Sequence, residues 1–263
     1  MVPQGRLLII GDRQFNHSSD KIDNKNYNFP SREILDLLSK IKTDRIEIIT
    51  PVCFPESFIE DCSNILYEMG YTNFDFLPIN NGLTDEKYLQ RFSDAQTIFF
   101  IGDQTKTYNI LKSSGIIKVL YRKYIFEDTF TVAGMSLGAM CIPGIMIHEN
   151  INNNFELIPG LGFLNNCIVD TQFVHKTRFK KLVHTIIQNR DFLGLGLGEN
   201  TALMIEKGCL ASCRGTGTVM MINAKNVIPD SNLSNDKSIF LKNLKGRILV
   251  EGCTINLNSG EVA

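Results

Sequence analysis

Apolar residues in this chain fall into short continuous runs, separated by stretches in which they recur at helical spacing. Arg6-Leu-Leu-Ile-Ile10, closed by Gly11-Asp12, is the kind of run that a strand buried on both faces requires. From Ser31 the spacing predicts a helix, with Ile34, Leu35, Leu37, Leu38 and Ile41 on one side and Ser31 as its cap. Arg45-Ile-Glu-Ile-Ile-Thr50 reads as a second strand. Pro55 to Met69 reads as a helix carrying Phe58, Ile59, Cys62, Ile65 and Leu66 inward, with Gly70 as its stop. Asn73 to Leu77 (strand), Asp85 to Phe92 (helix) and Gln96 to Ile101 (strand) follow, and the last of these ends in Gly102-Asp103-Gln104. Tyr108 to Lys112 and Ile116 to Tyr124 read as helices.

Further on, Cys167-Ile-Val-Asp170 is a short strand. Thr177 to Asn189 is a helix with Phe179, Leu182, Val183, Ile186 and Ile187 facing inward. Phe192 to Gly198 and Ala202 to Glu206 are strands joined by Glu199-Asn200-Thr201. From Thr218 the runs are short and strand-like, interrupted by a polar connection from Pro229 to Ser238. Strands alternating with helices predict βαβ units, hence an α/β fold with a mostly parallel central sheet and helices on both faces. Residues 1–263 are expected to form a single domain, with 226–263 as an antiparallel edge-strand tail. The Asn-rich segment from Arg13 to Asn28 follows the first strand as a loop, a position where loops of open α/β sheets line sites.

Composition narrows the class. At 43% hydrophobic over 263 residues the chain can bury a large core, and a net charge of −1 gives no basic surface for nucleic acid or an anionic membrane. The N-terminal residues carry no long apolar core of a signal peptide, and no run is long enough to span a bilayer, so a soluble cytoplasmic protein is expected. The 7 cysteines are odd in number and scattered through apolar segments, which fits buried free thiols better than a disulfide frame. Cys209 and Cys213 are close in sequence, but no second pair or histidine stands at ligand spacing, so neither a metal nor another cofactor is expected.

One stretch carries chemistry. Thr129-Phe-Thr-Val-Ala-Gly-Met-Ser-Leu-Gly-Ala-Met-Cys141 runs from a β-rich apolar segment through Gly134-Met-Ser-Leu-Gly138 into helix formers. That is the strand, sharp turn and helix order of a nucleophile elbow with G-x-S-x-G spacing. The turn would hold Ser136 in a strained conformation, exposed at a helix N-terminus, and a Cβ at either glycine would collide with the neighbouring strand and helix.

Six segments in order give this stretch a context: Leu8-Ile-Ile-Gly11, Phe99-Phe-Ile-Gly-Asp-Gln104, Ala133-Gly-Met-Ser-Leu-Gly-Ala139, Pro159-Gly-Leu-Gly162, Asp170-Thr-Gln-Phe173 with Arg178 downstream, and Gly194-Leu-Gly-Leu-Gly-Glu-Asn-Thr-Ala202. In these the chain resembles the cyanophycinase and peptidase E family of serine exopeptidases. The resemblance implies a three-layer sandwich of the class I glutamine-amidotransferase type, with the serine attacking a peptide carbonyl. It implies Ser136 as nucleophile, Glu199 as the acid that orients the base, and the N–H groups of Gly102 and Leu137 as the oxyanion hole, unless Gly102 serves only to turn the chain.

A pocket for a β-linked aspartyl-arginine unit would be formed by Asp103, Gln104, Asp170, Thr171, Lys176, Arg178, Asn200 and Thr201. The planar fork of Arg178 suits a carboxylate, while Asp103, Asp170 and Glu199 suit a cation. For Asp103 and Gln104 the alternative is capping of the next helix, and for Lys176 and Arg178 a solvated helix start. The expected partners are a small β-aspartyl peptide and a second copy of the chain as a homodimer, with no nucleic acid and no membrane.

The chain also departs from that family. Where the family has D-x-H-F, with histidine as general base, Asp170-Thr171-Gln172-Phe173 offers an amide, which takes no proton at neutral pH. Lys176 replaces arginine, Thr177 glycine, Leu137 alanine, and Gly198 an acid. His175 is the best substitute base, although three extended residues from Gln172 is roughly 10 Å. His17, His148 and His184 read as solvated or core histidines. The sequence therefore leaves two readings, an impaired β-aspartyl hydrolase and a catalytically silent relative that binds a small acidic peptide or a protein partner.

Overall fold

The computed structural model describes residues 1–11, 29–52, 54–79, 86–149, 155–173, 176–227 and 244–262. The segment from Arg13 to Asn28, His17, His175 and the connection from Pro229 to Ser238 lie outside them. In the first half β1 (Arg6–Ile10), α1 (Arg32–Leu35), β2 (Ile46–Pro51), α2 (Glu56–Glu68), β3 (Phe74–Ile79), α3 (Glu86–Asp94), β4 (Thr97–Ile101), α4 (Gln104–Ser114), α5 (Ile116–Phe126) and β5 (Thr131–Met135) alternate as the apolar pattern predicts. The second half has α6 (Leu137–Met140), a hairpin of β6 (Ile145–Glu149) and β7 (Phe155–Pro159), then β8 (Cys167–Asp170), α7 (Lys176–Gln188), β9 (Leu193–Leu197), β10 (Ala202–Glu206), β11 (Leu210–Arg214), β12 (Val219–Asn223), β13 (Lys245–Leu249), β14 (Thr254–Asn256) and β15 (Glu261–Val262).

Among the described residues, nine strands form the main sheet in the order β15-β14-β11-β10-β1-β5-β4-β2-β3. From β1 to β3 every neighbour is parallel, and from β1 out to β15 every neighbour is antiparallel. The inner parallel strands β1, β5, β4 and β2 are buried on both sides, and their side chains alternate between two cores. Leu7, Ile9, Phe100 and Val132 pack with Leu111, Ile116 and Leu120 of α4 and α5. Leu8, Ile10, Phe99 and Met135 pack with Ile34, Phe58 and Leu66 of α1 and α2. Helices thus cover both faces, and no described helix is long and apolar enough to cross a membrane.

Two expectations are corrected. The helix from Ser31 is a single turn, because side chains from elsewhere occupy the carbonyls that would continue it: Tyr71 Oη donates to Leu35 O (2.9 Å) and Asp36 O (3.1 Å), Arg6 Nη2 to Leu37 O (3.1 Å) and Thr97 Oγ1 to Leu38 O (2.7 Å). Ile41 is consequently exposed, and the Ser31 side chain caps nothing. Phe179 is also exposed, meeting Phe173 edge-on in the first turn of α7 while Leu182, Val183, Ile186 and Ile187 face inward.

The strands β8 and β9 join β12 and β13 in a separate sheet of which β13 is an edge, while β14 and β15 lie on the edge of the main sheet. This second sheet admits α7 and the chain beyond β8 because Gly194 and Gly196 leave room. A Cβ on Gly196 would lie 2.5 Å from the Phe173 ring and one on Gly194 2.6 Å from Ile186.

Candidate active site

Strand β5 lies between β1 and β4, and the chain leaves it at Ser136 with φ 54° and ψ −132°, a conformation costly for a non-glycine residue. The two glycines of the motif make that turn possible. A Cβ on Gly134 would stand 2.6 Å from Ala139 Cα in α6, and one on Gly138 would stand 2.3 Å from Phe100 O in β4. These are the strand and helix collisions expected from the spacing. The helix that follows is a single turn, four residues long, with Ile142 leading into Pro143, so its dipole is weaker than a longer helix would supply.

Ser136 is not exposed, as the sequence suggested; it is 5% accessible. The cover comes from the segment after β8. Thr171 Oγ1 donates to Ser136 O at 2.7 Å, and Gln172 Nε2 donates to Ser136 Oγ across 3.5 Å, at the long limit of a hydrogen bond. Gln172 is held from behind by its own N–H, which donates to Asp170 Oδ1 at 3.0 Å. Phe173 N–H donates to Leu197 O at 3.3 Å, tying the segment to β9.

The end of β1 organises the rest. Ser136 N–H donates to Ile10 O (3.2 Å), and Gly11 N–H donates to Thr201 O (2.8 Å), so the elbow and the Glu199-Asn200-Thr201 turn flank one strand terminus. Asn200, at φ 49°, makes that turn. Its Oδ1 accepts from Ser31 N–H (2.9 Å), its Nδ2 donates to Thr216 Oγ1 (2.7 Å), and Thr201 Oγ1 donates to Glu199 O (3.1 Å). On the other side the register pairs Ile101 with Met135, which sets Gly102 beside Ser136. Among the described residues neither Gly102 N–H nor Leu137 N–H donates to a protein group. Asp103 caps α4, its Oδ1 accepting from Lys106 N–H at 2.9 Å. Gln104 is buried; its Nε2 donates to Ile147 O (2.9 Å), and its Oε1 has no partner among the described residues.

Asp170 and Arg178 meet each other. The guanidinium grips the fully buried carboxylate with both arms, Nε to Oδ2 at 2.9 Å and Nη2 to Oδ1 at 2.8 Å. Its remaining arm reaches Glu149 Oε2 at 3.2 Å, over the ring of Phe155, and Lys181 Nζ holds Glu149 Oε1 at 2.9 Å. The carboxylate that the fork of Arg178 was expected to seek is therefore supplied by the protein, and the side chain is not on a solvated face. The backbone of Lys176 opens α7, and its side chain lies outside the described residues. Glu149 was not anticipated, although the apolar run Ile145-Met-Ile147 before it carried a strand signal.

The two described histidines are engaged elsewhere, His148 Nδ1 with Thr105 Oγ1 at 3.4 Å and His184 with Gln188 at 3.0 Å. A cavity of about 600 Å³ opens at the opposite end of the sheet, lined by Arg45, Asn73, Gln96 and Thr129, which precede β2, β3, β4 and β5. It is separate from the elbow, which sits where these parallel strands end.

The family model for peptidase family S51 matches residues 16–212. The chain belongs to peptidase family S51. Curated members resemble it at modest identity. The cyanophycinase of Synechococcus elongatus is 26% identical over 210 residues, covering 76% of this chain and 65% of that protein. The cyanophycinase of Geminocystis herdmanii is 26% identical over 227 residues, 81% of this chain and 83% of that protein.

Solved structures share the fold. A peptidase from an acI-B1 actinobacterium superposes with a TM-score of 0.64 over 97% of both chains at 18% identity. A peptidase E protein described as putative, from Listeria monocytogenes, gives 0.53 over 80% of this chain and 98% of its own at 12% identity. The expected kinship with cyanophycinase and peptidase E, and the α/β fold that goes with it, are both met.

Proposed function

We infer that the chain is a serine-type hydrolase of family S51 acting slowly on β-linked aspartyl peptides of the Asp-Arg type. Ser136 is the nucleophile, Glu199 the acid beside the site, and Gln172 stands where a general base belongs. The observation that carries this reading is the strained Ser136 beneath Gln172, with the unengaged N–H groups of Gly102 and Leu137 next to it. Two such donors aimed at a developing oxyanion support acyl transfer even where proton transfer is poor, a lost donor typically costing about 3 kcal/mol.

In this mechanism the Ser136 hydroxyl attacks the carbonyl with no imidazole of the described residues placed to take its proton, so the proton passes to water. Loss of the base in a serine triad costs on the order of a million-fold in turnover, and binding and the oxyanion hole supply what remains. The test is incubation of the purified protein with cyanophycin and with β-aspartyl-arginine beside the Ser136→Ala variant. Dipeptide or amino-acid release that disappears in the variant supports the hydrolase.

A second reading, a silent relative that binds a small acidic peptide or a protein partner, is favoured by one observation. The amide of Gln172 donates to Ser136 Oγ, which holds the hydroxyl as an acceptor instead of withdrawing its proton. Calorimetric binding of β-aspartyl-arginine, equal in wild type and Ser136→Ala and without turnover, would select it.

A further inference from the structure

Two cysteines far apart in sequence are neighbours across a strand pair. The antiparallel register of β11 and β14 pairs Leu210 with Asn256, Ala211 with Ile255 and Ser212 with Thr254. One more step along the ladder sets Cys213 opposite Cys253. The backbone bears this out, with Cys213 N–H donating to Cys253 O at 2.9 Å and Gly252 N–H donating to Cys213 O at 3.1 Å. Gly252, at φ 84°, and Cys253 together oppose Cys213, the arrangement of a β-bulge. Both cysteines pack against one hydrophobic core, so their side chains share a face of the sheet.

Directly opposed residues of an antiparallel pair have Cα atoms about 4.5–5.5 Å apart. That lies within the span of about 4.4–6.8 Å that a disulfide bridges. Both thiols are free in the structure, Cys213 buried and Cys253 half-buried. Cys209 stands four residues from Cys213, roughly 13 Å along the strand, and is out of reach of Cys253.

We propose that Cys213 and Cys253 form a reversible intramolecular disulfide, a modification site that locks the β14–β15 edge onto β11. The oxidant is a peroxide. The more accessible Cys253 sulfur attacks the peroxide O–O bond, and with hydrogen peroxide this gives a sulfenic acid and one water. Cys213 sulfur then attacks the Cys253 sulfur, the S–O bond breaks, and the hydroxyl leaves with the Cys213 proton as a second water. In sum two thiols and one hydrogen peroxide give one disulfide and two waters. Burial, and the neighbouring Cys253 after it, push the Cys213 thiol up to about 11, which disfavours it as the first thiol to meet the peroxide. The bridge bears on the rest of the fold because β11 runs on into Thr216 and Gly217, which hold the Asn200 turn.

The test is titration of the full chain with hydrogen peroxide, followed by intact mass and non-reducing tryptic mapping. The expected result is a loss of about 2 Da reversed by dithiothreitol, with fragment 208–214 joined to fragment 248–263. The link should persist in Cys209→Ser and vanish in Cys213→Ser and Cys253→Ser, and Tm should rise on oxidation of the wild type. Failure to link these fragments in the folded wild type would overturn the proposal, as would a link that survives Cys213→Ser or oxidation of Cys253 to a sulfinic acid without bridging. The wild-type map decides the matter even if a serine variant does not fold.

Discussion

The side-chain amide nitrogen of Gln172 stands 3.5 Å from the hydroxyl oxygen of Ser136, and both residues are buried. Under the hydrolase reading proposed above, Gln172 occupies the place from which a base would serve Ser136. Replacing Gln172 with histidine puts a proton acceptor at the same backbone position, which remains anchored by Asp170 and by Phe173 over Gly196. Hydrolysis of β-aspartyl-arginine should rise about 100-fold or more in Gln172→His, within the range that a positioned base contributes. Gln172→Ala should stay at the wild-type rate. Steady-state assay of both variants checks this, and an unchanged rate in Gln172→His would show that more of the site has been remodelled than its base.

The bidentate pair of Asp170 and Arg178 is shielded from water, so removing one partner leaves the other charged and buried. Arg178→Met should lower stability by about 3–5 kcal/mol. Glu149→Gln should cost about 1 kcal/mol or less, since Glu149 is far more accessible and solvent screens it. Urea unfolding of the two variants measures both, and near-equal losses would contradict the assignment of Asp170 as the main partner.

Gly138 has no room for a methyl group against the backbone of β4, whereas a Cβ on Gly246 in β13 would meet no atom of the described residues within 4 Å. Gly138→Ala should therefore destabilise by about 3 kcal/mol through forced backbone movement. Gly246→Ala should fall within about 0.5 kcal/mol of wild type. Thermal denaturation of the pair checks the contrast.

Burial pushes the thiols of Cys62 and Cys167 up to about 12 from an ordinary value of 9.0. The folded state holds these protons more tightly than the unfolded chain does. Their contribution to stability is thus fully present below about pH 9 and is lost as the pH climbs toward 12. Unfolding free energy measured across that window should fall, and Cys62→Ala should flatten the fall while lowering stability at neutral pH.

How much of this was legible beforehand follows from the range of the forces involved. The alternation of apolar runs and helical spacings located β1, β2, β4, β5 and α2, because burial on both faces of a parallel sheet leaves a continuous apolar signature. The helix at Ser31 was overestimated because the donors that end it, from Tyr71, Arg6 and Thr97, come from distant segments. The hairpin of β6 and β7 went unread, and with it Glu149. The elbow was legible down to the reason for each glycine, yet the burial of Ser136 was not, since its cover arrives from residues 171 and 172.

By itself the sequence determined the elbow and the family, since each is a matter of which residue types stand at which spacing. Tertiary structure alone decided that Arg178 faces Asp170 and Glu149, that Gln172 lies over Ser136, and that Cys213 meets Cys253 instead of its sequence neighbour Cys209. Local spacing specifies strands and turns, but strand register and the packing of one sheet edge against another bring distant side chains within bonding distance. Those depend on the whole chain at once.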